Sequence, residues 1–132
     1  MSGHSQRVVF PSEFTEFRLV LGEPTSFEHR DFVVTFRFFN HTGDLLGDSD
    51  LNASYSNKLG AYFRYLLSSD EGVGQNVIKP IKLIRPARSV EVGVLPWKSR
   101  DAAKARAVQS QLFAVAADAD TNFIWTGRIG AK

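Results

Sequence analysis

Two short acidic runs are the first residues in this chain whose types and spacing suggest chemistry. Asp48-Ser49-Asp50-Leu51-Asn52 and Asp118-Ala119-Asp120-Thr121-Asn122 both read D-x-D-x-N. Alternate carboxylates in a turn can aim their oxygens at one centre, and Ca²⁺ takes about six to eight oxygen ligands. Asp48, Asp50, Asn52, Asp118 and Asp120 are therefore the candidate metal ligands. Nothing in the sequence requires a cofactor, and calcium is the one these residues would take. The first run is not an EF-hand: Ala53 stands where that loop needs Gly, and Leu59 where it needs its final Glu. The same residues also have a plain structural use, because Asp and Asn hydrogen-bond their own backbone in turns.

The second constellation is aromatic. Eleven Phe lack a polar handle and belong in a core. Tyr55, Tyr62, Tyr65, Trp97 and Trp125 combine a flat apolar face with a polar edge. Such faces stack on sugar rings, while neighbouring Asp, Asn, Gln and Arg bond the hydroxyls. Trp97 follows Pro96 at the end of a strand pattern, where exposure is expected, whereas Trp125 alternates with Phe123 and reads as core. Trp97, Tyr55 and Tyr62 are the candidate ligand-binding residues, expected to form an open platform.

No catalytic residue is assigned. His4, His29 and His41 form no i,i+4 pair or H-x-H unit, so zinc-type spacing is missing. His41, Asp44, Ser54 and Ser56 share one stretch, but no G-x-S-x-G elbow accompanies them. Gly72-Val73-Gly74 is too short for a phosphate-binding loop and lacks the following Lys. The absence of cysteine excludes a thiol nucleophile and a disulfide framework, and suits a bacterial protein in any compartment. The expectation is a protein that is not an enzyme.

The elements that must position these residues are mostly strands. Phe32, Val34, Phe36 and Phe38 alternate with Val33, Thr35, Arg37 and Phe39, a period-two pattern with a core face. Phe14–Leu21, Ala61–Leu67, Val77–Ile84, Ser89–Leu95 and Asn122–Ile129 repeat it, and Arg7–Phe10 adds a short strand stopped by Pro11. Pro80 lacks an amide donor and predicts an edge or a bulge. Residues 100–109 predict a short helix capped by Ser99, followed by a strand near 111–117. Residues 41–60 form the longest irregular stretch, and such loops are often functional.

The expected fold is all-β: an immunoglobulin-like antiparallel sandwich of about seven strands with at most one short helix. A barrel is the competing closure. With 132 residues the chain reads as a tail over 1–6 and a single domain over 7–132. No apolar run approaches the roughly 20 residues of a membrane span, and no apolar segment follows the first six residues to make a secretory signal. A net charge of +2 is a weak field with no clustered basic face, which argues against nucleic acid. Oligomeric state and compartment stay open.

These observations favour a non-catalytic module that binds carbohydrate, as an accessory domain of a larger glycan-active protein would. Two other readings use the same residues. One is a structural domain that assembles with itself or with a protein partner. The other is a C2-like module in which the Asp runs hold calcium beside acidic lipid.

Overall fold

The computed structural model describes residues 5–23, 25–67, 76–118 and 123–128, with residues 48 and 123–128 as backbone only. The alternating run Phe32–Phe39 forms strand β2, and its four even-numbered side chains are all buried. The other strands are β1 (Gln6–Leu21), β3 (Ser54–Ser56), β4 (Ala61–Tyr65), β5 (Ile81–Pro96), β6 (Leu112–Ala117) and β7 (Phe123–Arg128). All pair antiparallel in one sheet ordered β3-β4-β2-β5-β1-β6-β7. The expected all-β class and short helix are present. The hydrogen bonding does not divide the strands between two sheets, as an immunoglobulin-like sandwich would require.

Two long strands explain the difference. The segments Arg7–Phe10 and Phe14–Leu21 are one 16-residue strand rather than two, and β5 likewise runs unbroken through Ser89–Leu95 from Ile81. Between Val9 and Phe14, β1 advances while its partner moves only from Ser89 to Ala87. The imbalance then reverses, because Phe14 to Glu16 spans Ala87 to Lys82. Extra residues in each strand bend both at one place. Pro11 and Pro86 fall inside these unpaired stretches, where a missing amide costs no ladder bond. Arg88 supplies donors there instead, from Nε to the Phe10 carbonyl (2.7 Å) and from Nη2 to the Pro11 carbonyl (3.1 Å).

The bend turns the sheet back on itself and brings its two inner faces together. Phe17, beyond the corner, stands edge-on to Phe36 (5.6 Å between centroids) and Phe38 (5.4 Å). Phe14 meets Phe10 at 4.7 Å and Phe38 at 6.3 Å. Strands that pass from one layer to the other at a corner are the usual way to build such packing. Leu19, Leu21, Ile81, Val90, Val92, Leu112 and Ala114 complete this core. The pairing of β1 with β5 begins at Gln6, opposite Val92.

Helix α1 (Ala102–Ser110) closes one end of the core with Ala105 and Val108. Its cap is Asp101 rather than Ser99: Asp101 Oδ1 accepts from the Lys104 amide at 3.0 Å, and Ser99 Oγ accepts from the Asp101 amide at 3.2 Å. Gln109 has a separate task. The pairing of β1 with β5 stops at Gln6–Val92, so the Val94 amide finds no strand on that side. Gln109 Oε1 accepts it at 2.9 Å in a buried setting. Gln109→Leu leaves that amide unsatisfied and is expected to cost about 1–3 kcal/mol. A lower urea midpoint with an unchanged m-value checks it.

Across the bend, Ala117, Glu16 and Lys82 form one row. Glu16 is a buried carboxylate held by Arg18 and by Lys82 Nζ at 3.3 Å. Burial alone would raise its pKa, but hydrogen bonds and charge from Arg18 and Lys82 outweigh that and hold it below the ordinary 4.5. A lowered native pKa adds stability that is present above the unfolded value and disappears as pH falls through the native one. Acid titration below 4.5 should therefore destabilise the native chain more steeply than Glu16→Gln. Parallel curves of melting temperature against pH would contradict this.

Candidate ligand-binding groove

The outer face of the layer β4-β2-β5 is built from rows that the register fixes. Tyr65, Val33 and Leu95 form one row, and Phe63, Thr35 and Gly93 the next. Trp97 lies just beyond the end of β5. Its amide donates to the Asp31 carbonyl (2.9 Å), the Lys98 amide to the Arg30 carbonyl (3.0 Å) and the Ser99 amide to the Asp31 carbonyl (3.1 Å). Three amides close in sequence thus pin the segment to the entry of β2. The indole is 38% exposed and meets Tyr65 edge-on at 5.9 Å.

Arg30 completes this aromatic group from the turn before β2. Its guanidinium lies over the Tyr65 ring at 4.5 Å. Its backbone takes φ +71°, the left-handed region that costs a non-glycine residue roughly 1–2 kcal/mol. The Leu66 carbonyl, accepting from the Arg30 amide at 3.1 Å, and the Lys98 amide hold it there.

The facing wall comes from the hairpin between β3 and β4. Gly60 takes φ +67°, which a side chain would strain, and its carbonyl accepts from Arg37 Nη2 at 2.9 Å. The hairpin places Lys58 Nζ 5.9 Å from the Trp97 ring centroid. Lys58, Leu59, Leu95, Pro96, Trp97 and Arg100 line a groove of about 390 Å³. That volume lies within the roughly 300–1,000 Å³ of small-ligand sites.

The residues expected to form one aromatic platform fall into two groups. Trp97 sits on the outer face with Tyr65. Tyr62 is buried in the core, and Tyr55 pairs with it across the strands at 5.1 Å, edge-on. Tyr55 is exposed, but its ring company is Tyr62 rather than Trp97. Alternation along Ala61–Leu67 separates Tyr62 from Tyr65, so the period-two pattern contains the signal that pairs Trp97 with Tyr65. Arg30 and Lys58 carry no sequence signal, because only the turns bring Arg30 over Tyr65 and Lys58 to the groove.

The described side chains of the first acidic run have structural tasks. Asp50 Oδ2 accepts from the Gly47 amide at 2.8 Å within a 3-10 turn (Asp48–Asp50), and Oδ1 lies 4.0 Å from Arg85. Asn52 Oδ1 accepts from the Lys82 amide at 2.8 Å, while the Asn52 carbonyl accepts from Arg64 Nη2 at 2.8 Å. Asp118 follows β6 at the far end of the row that contains Lys82. The side chain of Asp48 and all of Asp120 lie outside the described residues, as do the side chain of Trp125 and the Gly72–Gly74 segment. Among the described residues, no group of three His, Asp or Glu could hold a metal ion.

A second, smaller cavity of about 190 Å³ is lined by Glu13, Asn40, His41, Leu46, Arg85 and Pro86. His41 Nδ1 faces Glu13 Oε2 at 3.2 Å, so its partner is Glu13 rather than Asp44. Asp44 accepts instead from the Thr42 hydroxyl at 3.1 Å. Both members of the His41–Glu13 pair are solvent-exposed, and exposed pairs contribute little. Ser56 Oγ accepts from the Leu59 amide at 3.1 Å, which ties it to its own hairpin. Among the described residues, no helix is long and apolar enough to cross a membrane. No family model, curated protein sequence or solved structure matches the chain.

Proposed function

We propose that the protein is a non-catalytic carbohydrate-binding module whose site is the Trp97 groove. The observation that carries this reading is the half-exposed indole fixed at the mouth of a groove of about 390 Å³, with cationic donors on its walls. An indole offers a ring-sized apolar face, and Lys58 and Arg100 offer hydrogen-bond donors at its margins. The groove lining supports binding rather than catalysis, because among the described residues it contains no carboxylate, histidine or hydroxyl to act as base or nucleophile. An accessory role beside a glycan-active partner domain belongs to the same reading.

The assembly reading has a weaker footing. Its best surface is the row Phe39, Ser89 and Val9, where Val9 is 59% exposed. Arg7 lies over the Phe39 ring at 4.0 Å and pairs with Glu91 at 3.2 Å, which makes that surface partly charged. The calcium reading would have to place a cation beside the Arg85 guanidinium, 4.0 Å from Asp50.

The test is tryptophan fluorescence in a Trp125→Phe background, so that Trp97 alone reports. A saturable shift with a soluble glycan is the expected result. A flat response across glycans of varied sugar and linkage would defeat the proposal, and a shift produced by Ca²⁺ alone would favour the C2-like alternative.

A further inference from the structure

The charge around the groove narrows the ligand class, on the premise that the groove binds sugars. Lys58 and Arg100 stand on its walls, and neither has a carboxylate partner within ion-pair distance among the described residues. Five other described cations do pair with carboxylates: Arg7 and Arg37 with Glu91, Arg18 and Lys82 with Glu16, and Arg85 with Asp50. Two acids adjoining the groove's residues in the chain accept backbone amides. Asp31 Oδ2 accepts from the Glu28 amide at 2.9 Å, and Asp101 Oδ1 caps α1. Lys58 Nζ is near enough to the indole, at 5.9 Å, for a ring stacked there to bring a substituent beside it. Arg30 is a further cation nearby, over the Tyr65 ring at 4.5 Å but outside the groove lining.

We infer that the groove selects acidic sugars, with the ring on the Trp97 indole and its carboxylate or sulfate between Lys58 and Arg100. A neutral sugar leaves both cations without a counter-charge. An acidic one gains charge-assisted hydrogen bonds, which are about twice as strong as neutral ones. The selectivity is electrostatic and partly solvent-exposed, so it weakens with salt.

The experiment uses the full chain on an immobilised panel of uronate-containing, sialylated and sulfated glycans. Each is matched by its carboxyl-reduced or desulfated counterpart. Binding confined to the acidic members is expected. Lys58→Gln and Arg100→Gln should each lower that affinity by about tenfold, the loss of one charge-assisted contact, and leave the melting temperature unchanged. Whether uronates or sulfated sugars bind distinguishes the two sources of the negative charge. Equal binding of acidic and neutral members would overturn the acidic preference while leaving the carbohydrate reading intact. Acid-selective binding that survives both substitutions would overturn the assignment to these two cations. Absence of binding to every glycan would overturn both, and capture of single-stranded oligonucleotides instead would identify a different polyanion as the ligand.

Discussion

Phe36→Asp is expected to leave the chain unfolded or insoluble at room temperature. Phe36 is fully buried, and its ring lies between Phe17 (5.6 Å) and Phe38 (6.0 Å). Removing a buried Phe ring costs about 3–5 kcal/mol. A carboxyl placed there without a partner adds roughly 2–7 kcal/mol even when it is protonated. The sum is comparable to the whole stability of a domain, about 5–15 kcal/mol. The position is also structurally central, because Phe36 is where the two halves of the bent sheet meet. Phe39→Asp provides the comparison on the opposite face of the same strand. That ring is half-buried and lies under Arg7, which would remain beside the new carboxylate. Circular dichroism and solubility should show Phe39→Asp folded and Phe36→Asp not. Two folded variants would mean that the inward face of β2 has been misidentified.

Trp97→Ala is expected to abolish glycan binding while the fold survives. Aromatic anchors at the centre of an interface typically contribute 2 kcal/mol or more, which corresponds to about 30-fold or greater loss of affinity. The backbone of Trp97 is pinned through its own amide and those of Lys98 and Ser99, so the truncation leaves the segment anchored. The indole is 38% exposed, so the stability cost is expected to be only about 1 kcal/mol, in the range of ordinary point substitutions. Titration calorimetry is the suitable readout, because the variant lacks the reporting indole. Trp97→Phe should retain part of the affinity, since a smaller ring still presents a stacking face. Full affinity in Trp97→Ala would remove the groove from consideration as the site.

The period-two faces are legible from residue order alone. Phe32, Val34, Phe36 and Phe38 face one way whatever the topology, because side chains alternate across an extended chain. The short helix is legible too, through a run rich in Ala, Lys and Arg behind Asp101, as is the turn character of the first Asp-rich run. Local rules settle these features, so they are readable without a partner. The continuity of β1 and β5 was not readable. Pro11 and Pro86 look like strand ends in one dimension, and they are tolerated only because the opposing strand is unpaired at the same place. That compensation exists only between strands far apart in sequence. The groove follows the same logic. Alternation separates Tyr62 from Tyr65 but does not say which of them looks inward, because both are amphipathic and either face would satisfy the pattern. The bend at the corner decided it by burying the face that carries Phe36 and Tyr62 against Phe17. Tyr65 was left outside, where Trp97, Arg30 and Lys58 converge from three separate turns.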